Sequence, residues 1–212
     1  EEETARVVAH VAKTTRLPVY AIGLSAGANT LVKYLGAREA ATTITGAVAV
    51  ANGLDLAKCY SRLNGRFSAF LASRAMRVYA RYNKRFRART LGEFDERVSG
   101  TPLGEYHARH SSADALTRTR VPTMCLGADN DPIVHSSILD VHDSIARANP
   151  NVVSVRTKEG GHCGWVTRDR TLKRGRWLES VALDFLEGCE KKLILRKPTL
   201  YEYIQNGPEQ KR

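Results

Sequence analysis

The sequence contains no long hydrophobic run, because no stretch of about 18 consecutive apolar residues occurs in its 212 residues. A transmembrane helix is therefore not expected, and no signal peptide is visible. Glycine (16 residues) and proline (7 residues) are too few for a collagen-like or low-complexity chain. With an apolar share of 42%, the sequence is typical of a globular protein with one sizeable core.

Cysteine is scarce, and no two cysteines have the spacing of a CxxC pair. This excludes a disulfide framework or a zinc site built on paired thiols. One of them lies in the apolar run VPTMCLG, where a small buried hydrophobic residue is expected. The pattern favours a reducing compartment. The four cysteines are Cys59, Cys125, Cys163 and Cys189.

Acidic residues are outnumbered, with 22 Asp and Glu against 33 Lys and Arg, which makes the net charge +11. Such a charge favours contact with anionic partners, either phospholipid headgroups or nucleic acid. No recognised nucleic-acid-binding motif accompanies the charge, so we expect no nucleic acid partner. An anionic membrane surface is then the candidate binding partner for the basic residues.

Apolar runs and helical periods alternate along most of the chain. We expect strands at 17–25, 45–52, 121–127 and 151–158, and helices at 1–16, 26–39, 137–147 and 176–190. Strands that alternate with helices predict βαβ units and a mostly parallel sheet. The segment 191–212 has no clear period and is expected to be a tail.

Residues 54–112 have a different composition, rich in Arg, Tyr and Phe and without a strand-like run. They are expected to form a helical insertion. An apolar stripe recurs at helical spacing, with basic residues mostly off it. The basic face could meet anionic lipid or could simply be solvated. The stripe contains Phe67, Phe70, Leu71, Val78, Tyr79, Tyr82 and Phe86, and the basic residues are Arg74, Arg77, Arg81, Lys84 and Arg85.

The pentapeptide GLSAG, residues 23–27, lies between a predicted strand and a predicted helix. A serine hydroxyl becomes a useful nucleophile when a tight turn holds it clear of the backbone and a base accepts its proton. Ser25 has this position. Gly23 and Gly27 are expected because such a turn leaves no room for a Cβ atom.

A base and an acid follow Ser25 in the order Ser, Asp, His. Asp131 comes just after a strand and before Pro132, although Asp129 competes for the role and either could merely form a turn. His162 lies in the Gly-rich loop KEGGHCGW, where a histidine could also be an ordinary surface residue. The order itself is the one that doubly wound hydrolases use.

Other reactive residues carry weaker signals. His107 and His110 have the spacing of metal ligands on a helix, but no carboxylate or thiol pair completes a set, so no metal site is expected. Cys163 is adjacent to His162, and adjacent loop residues point apart, so it is not expected to be the nucleophile. Trp165 and Trp177 are expected to be packing residues.

The segments GLSAGANTLVKYLG, GADNDPIVHSSIL and GGHCGW together resemble the α/β-hydrolases. Within them, the chain is similar to the group of YheT-type esterases and abhydrolase-domain proteins 1, 2 and 3, the AB hydrolase 4 family. The resemblance covers most of residues 1–188 and is weak in the insertion. It implies an α/β-hydrolase fold, a mostly parallel sheet with helices on both faces, and a helical cap at about 54–112 that covers the active site.

The resemblance also implies the roles of the site residues. Ser25 is the nucleophile, His162 the general base and acid, and Asp131 the acid, since the matched acid directly precedes the proline. The backbone N–H of Ala26 belongs to the oxyanion hole. The implied reaction is serine carboxylesterase or acylglycerol lipase chemistry on acylglycerol, phospholipid or short- to medium-chain acyl esters, without a metal or organic cofactor.

By the same comparison the early strands of the fold are missing, together with the segment that supplies a second oxyanion amide. Residues 1–190 are then the C-terminal part of a hydrolase domain. This chain alone could be inactive even with its triad complete, since one oxyanion donor contributes roughly 10²- to 10³-fold to turnover. The alternative is a noncatalytic or truncated hydrolase-like binding protein. Cytoplasmic and membrane-associated locations are both compatible with this sequence, because any membrane anchor would precede residue 1. The motifs do not indicate the oligomeric state.

Overall fold

The computed structural model describes residues 2–81, 87–165 and 177–190. It separates into two units, of which the first contains the chain up to Leu54 and from Ser112 onwards, and the second is Asp55–Ser111. The expected tail at 191–212 lies outside the described residues.

The first unit is built on a four-stranded parallel sheet in the order β1-β2-β3-β4. All four expected strands are confirmed, each within about two residues of its predicted ends. Their carboxyl ends lie along one edge of the sheet, so the loops that follow β1, β3 and β4 can meet there. The strands are β1 Val19–Leu24, β2 Ile44–Val50, β3 Thr123–Ala128 and β4 Val152–Thr157.

Helices cover both faces of this sheet, as the fold class predicts. Val48 and Leu126 point to the side covered by α9, while Ala47 points to the side of α1 and α2. Gly127 lies under α8, because a Cβ atom there would come within 2.4 Å of Leu139 Cδ2. The helices are α1 Glu2–Thr15, α2 Ala26–Arg38, α7 Ala113–Arg118, α8 Ser136–Ala148 and α9 Trp177–Glu190, with a short 3₁₀ helix at Glu39–Ala41.

The second unit is helical throughout its regular elements in the described range, as expected for the insertion. Side chains cap the starts of three of its described helices: Asp55 accepts from the Lys58 N–H, Asn64 from the Arg66 N–H, and Thr90 from the Glu93 N–H. The role of this unit as a cap stays a prediction. Its helices are α3 Leu56–Arg62, α4 Gly65–Tyr79, α5 Leu91–Ser99 and α6 Leu103–His110.

The prediction of a buried apolar stripe in the insertion is only partly correct. Phe67, Leu71 and Tyr79 are partly buried, but Phe70 and Val78 are 56% and 57% exposed. The five members of the stripe that the structure describes span more of the helix circumference than packing covers, so two of them lie among the exposed arginines. Tyr82, Lys84, Arg85 and Phe86 lie outside the described residues.

In the part of the chain that the structure describes, no helix combines the length and the apolar character needed to cross a bilayer.

Candidate active site

Ser25 lies in the turn between β1 and α2, where its backbone adopts φ 53° and ψ −119°. Such a conformation costs a residue with a side chain of the order of 1–3 kcal/mol unless neighbouring contacts hold it. The Ser25 N–H donates to the Val50 carbonyl of β2 at 2.8 Å, and its own carbonyl accepts from the Asn29 N–H at 3.1 Å. The turn is therefore held from both the sheet and the helix.

The two glycines that flank this turn differ in whether a Cβ atom would fit at their positions. At Gly23 a Cβ would lie 2.6 Å from the Ala28 Cα and 2.7 Å from the Gly27 carbonyl oxygen, so only glycine fits. At Gly27, apart from its chain neighbours and the backbone of its own helix, no described atom lies within 4 Å of a Cβ position. The expectation of a space requirement is thus correct for Gly23 and wrong for Gly27.

Asp131 occupies a tight turn after β3. Its carboxylate is buried, with the side chain 1% exposed, and Oδ1 accepts hydrogen bonds from the N–H groups of Ile133 (2.7 Å) and Val134 (2.9 Å). The expected turn-forming role is therefore real. His162 Nδ1 lies 2.8 Å from Oδ2 and 3.1 Å from Oδ1, so turn formation and partnership with the histidine coexist in one carboxylate.

Asp129, the competing acid, has a different partner. Its Oδ1 accepts from the Arg156 Nε at 2.6 Å, and the same guanidinium bonds to Asp140 on α8 at 2.8 Å. Arg156 thereby ties the turn after β3 to α8. The structure brings Asp131, and not Asp129, to His162.

His162 connects the acid to the serine. Its Nδ1 lies 2.8 Å from Asp131 Oδ2, and its Nε2 lies 2.7 Å from Ser25 Oγ. An ionised carboxylate only accepts hydrogen bonds, so the Nδ1–H donates to Asp131 and Nε2 is left to accept from the serine hydroxyl. The three residues predicted from the sequence form one continuous hydrogen-bonded relay.

The loop that carries His162 is held by residues that the sequence argument did not single out. Asn130 Oδ1 accepts the Gly161 N–H at 2.8 Å and so links the acid turn to the histidine loop. Nothing in the local sequence marks Asn130, because its partner lies 31 positions away. Only folding brings the two together.

Trp165 closes the same loop from behind. Its indole Nε1–H donates to Thr157 Oγ1 at 2.9 Å, and its ring is 6% exposed and stacks near Trp177. A Cβ atom at Gly160 would lie 2.4 Å from the indole, so this glycine permits the close approach. Both tryptophans are packing residues, as expected.

Cys163 lies beside the relay but is chemically quiet. Burial raises the pKa of its thiol, the negative charge of Asp131 raises it further, and only the nearby Ser25 backbone lowers it. A thiol with a raised pKa holds less of the reactive thiolate near neutral pH. This supports Ser25 over Cys163 as the nucleophile.

Ala26 is the first residue of α2, so its N–H is among those without a partner within the helix. It follows the serine directly and lies at the positive end of the helix dipole. This is a suitable position for stabilising negative charge that develops next to Ser25 Oγ.

The histidine pair of the insertion forms an aromatic cluster within the second unit. The His107 ring lies 4.6 Å from that of Tyr60, and His110 lies 4.5 Å from Tyr106. Burial lowers the pKa of His107. Across the described residues, no group of three or more His, Cys, Asp and Glu has the geometry to hold a metal ion.

Comparisons with known proteins identify relatives over most of this chain. The embryogenesis-associated protein EMB8 of Picea glauca is 29% identical, covering 91% of this chain and 47% of that protein. The monoacylglycerol lipase of Saccharomyces cerevisiae is 28% identical (85% and 45%), and the phospholipase ABHD3 of Mus musculus is 26% identical (78% and 45%). The chain spans about half the length of these curated relatives. No family model matches it.

A solved structure supports the fold. The Pyrococcus furiosus esterase PF2001 superposes with a TM-score of 0.51 at 14% sequence identity, covering 91% of this chain and 60% of that one. At this identity the likeness concerns the fold alone. Taken with the sheet topology and the position of the serine turn, it shows that the chain has an α/β-hydrolase fold, and the curated relatives show that its sequence is similar to hydrolases of that superfamily.

Proposed function

We propose that this chain carries the catalytic triad of a serine hydrolase that cleaves carboxylic esters. The observation that carries the proposal is the relay from Asp131 through His162 to Ser25, with both links below 3 Å. A relay of this geometry is what an acyl-transfer triad requires, whatever the fold. The names of the relatives, a monoacylglycerol lipase and a phospholipase among them, support an ester as the substrate.

In the first step, His162 Nε2 takes the proton from Ser25 Oγ as the oxygen attacks the ester carbonyl. Asp131 holds the Nδ1–H and stabilises the imidazolium that forms. The imidazolium then protonates the departing alcohol, leaving an acyl group on Ser25. Water, deprotonated by His162, attacks the acyl carbonyl. The imidazolium then returns the proton to Ser25 Oγ as the bond to the acyl group breaks, which releases the carboxylic acid and restores both residues.

Negative charge on the tetrahedral intermediate needs hydrogen-bond donors. The Ala26 N–H is the donor that the described residues provide, aided by the N-terminal dipole of α2. None of these steps requires a metal or an organic cofactor. Acylglycerols, phospholipids and shorter acyl esters are the proposed substrates, and an anionic membrane surface is the proposed macroscopic partner.

Covalent labelling by a fluorophosphonate probe, read by intact mass, tests the proposal. Turnover is expected to be low without a second oxyanion donor, but labelling needs only the activated serine, so wild-type protein should gain one adduct. Ser25→Ala and His162→Ala should gain none. Ser144→Ala is the matched control, because Ser144 is an exposed serine on α8 and its loss should leave labelling unchanged.

The two aspartates supply a second comparison. Asp131→Asn should slow labelling by about 10⁴-fold, as the loss of a triad acid does elsewhere. Asp129→Asn should slow it far less. A folded wild-type protein that never forms the adduct would refute the triad and support a noncatalytic hydrolase-like binding protein.

A further inference from the structure

Helix α4 presents an exposed face that combines arginines with apolar side chains. Arg66, Phe70, Arg74, Arg77 and Val78 are all exposed. At 100° per residue they fall within about a third of the helix circumference. Arg81, in the turn directly after the helix, is exposed as well. The opposite side, with Ser68 and Ala72, is buried within the second unit.

Acidic residues are absent from α4 and from the sequence that flanks it. Between Asp55 and Glu93 the sequence contains ten Lys and Arg and no Asp or Glu. Among the described residues, none of the four arginines on the stripe is paired with a carboxylate. Solvated surface helices usually mix both signs of charge. A face of one sign therefore has an uncompensated attraction for an anionic partner.

The exposed apolar residues narrow the choice of partner. Phe70 and Val78 lie two turns apart among the arginines, with the small residues Ala69 and Ser73 beside them. A phospholipid surface satisfies both features, because phosphates accept from the guanidinium groups while the acyl boundary takes up apolar side chains. A nucleic acid could stack on Phe70, but it would gain little from the aliphatic Val78.

We propose that the exposed face of α4, defined by Arg66, Phe70, Arg74, Arg77, Val78 and Arg81, binds the surface of an anionic phospholipid bilayer. The arginines contact lipid phosphates, and the two apolar side chains enter the interface. The stripe is about 20 Å long, a suitable length for a helix lying flat on a membrane. This binding does not depend on the triad, so Ser25→Ala should bind vesicles as the wild type does.

Vesicle flotation with the whole chain tests the proposal. One set of vesicles contains phosphatidylcholine alone, and the other an equal mixture of phosphatidylcholine and phosphatidylserine. Wild-type protein should float with the mixed vesicles only. Each Arg→Gln substitution on the stripe should weaken partitioning by about fivefold, and the four together by more than about 100-fold. Arg→Lys at the same four positions keeps the charge and should retain most of the binding.

A matched control separates this face from net charge. Arg6, Arg38, Arg120 and Arg147 are exposed arginines of the first unit, and replacing all four with Gln removes the same charge. That variant should bind mixed vesicles much more tightly than the α4 variant. Equal losses in both variants would overturn the proposal, because they would show a general charge effect.

Two further readouts address the apolar residues and the rival partner. Phe70→Ser with Val78→Ser should reduce binding to mixed vesicles by at least about tenfold, since both side chains lose their burial in the interface. Circular dichroism checks that each variant is folded. A wild type that binds oligonucleotides through these arginines but does not float with anionic vesicles would refute the lipid assignment.

Discussion

Acid stability gives a quantitative test of one buried histidine in the first unit, His142. His142 on α8 is 1% exposed, and its Nε2 has no hydrogen-bond partner among the described residues. Burial lowers its pKa from 6.5 to about 4, although the charge of Asp143 and the backbone of Asn52 oppose the shift. The folded protein therefore holds this histidine in its neutral form.

The lowered pKa determines how stability changes with pH. Above pH 6.5 the ring is neutral in both the folded and the unfolded chain, so its titration has no effect. Between pH 6.5 and about 4 the unfolded chain takes up a proton that the folded protein resists, so stability falls as the pH falls. With these two pKa values, His142 lowers the free energy of unfolding by about 2 kcal/mol between pH 7 and pH 5.

Urea unfolding followed by far-ultraviolet circular dichroism measures this effect. His142→Gln should reduce the loss of stability between pH 7 and pH 5 by about 2 kcal/mol relative to the wild type. His10→Gln, at an exposed histidine of α1, is the control and should leave the pH dependence almost unchanged. If His142→Gln loses stability between these pH values as steeply as the wild type does, the assignment of a buried neutral histidine is incorrect.

Two other predictions concern the site. Asn130→Ala removes the hydrogen bond between the Asp131 turn and the loop that carries His162, so fluorophosphonate labelling should slow by about 10- to 100-fold. Asn130→Asp keeps the acceptor oxygen and should retain most of the labelling rate. Equal rates in the wild type and both variants would contradict this role. Gly23→Ala should lower the free energy of unfolding by about 3 kcal/mol or more, because the new Cβ atom would overlap backbone atoms. Gly27→Ala should leave the free energy of unfolding unchanged or raise it by up to about 1 kcal/mol. Urea unfolding measures both. A tolerated Gly23→Ala would refute the contact argument.

Much of the fold could be predicted from the sequence because its signals are local. A strand such as β3 is a short apolar run that ends at turn residues, and all its residues are buried. The order of Ser25, Asp131 and His162 was equally informative, since each follows a strand and the carboxyl ends of parallel strands meet at one edge. Once those three loops are placed at the same end of the sheet, few other arrangements of the three side chains remain.

The choice between Asp129 and Asp131 shows where local pattern was insufficient. Both residues occupy the same turn, and the resemblance to a family favoured the one before Pro132. The structure supplies a physical reason, because Arg156 on β4 engages Asp129, and the two residues are 27 positions apart. Contacts of this kind depend on strand order and register, which local periodicity does not encode.

The face of α4 was harder to predict for another reason. Helical spacing groups Phe67 with Phe70, and their rings do lie 6.1 Å apart. Yet Phe67 is partly buried and Phe70 is exposed. A wide apolar stripe does not determine which of its edges a neighbouring helix will cover, since that depends on crossing angles set elsewhere.

The turn between β1 and α2 also couples the stability of the sheet to the chemistry proposed for Ser25. Val50 is fully buried in the core, pairs with Leu24 and Leu126, and offers its carbonyl to the Ser25 N–H. That hydrogen bond helps to hold a backbone conformation that serine rarely adopts. If β2 shifted against β1, the turn would lose this anchor and Ser25 Oγ would move away from His162. Destabilising mutations in the core near Val50 should therefore slow fluorophosphonate labelling of Ser25 even in variants that are still folded.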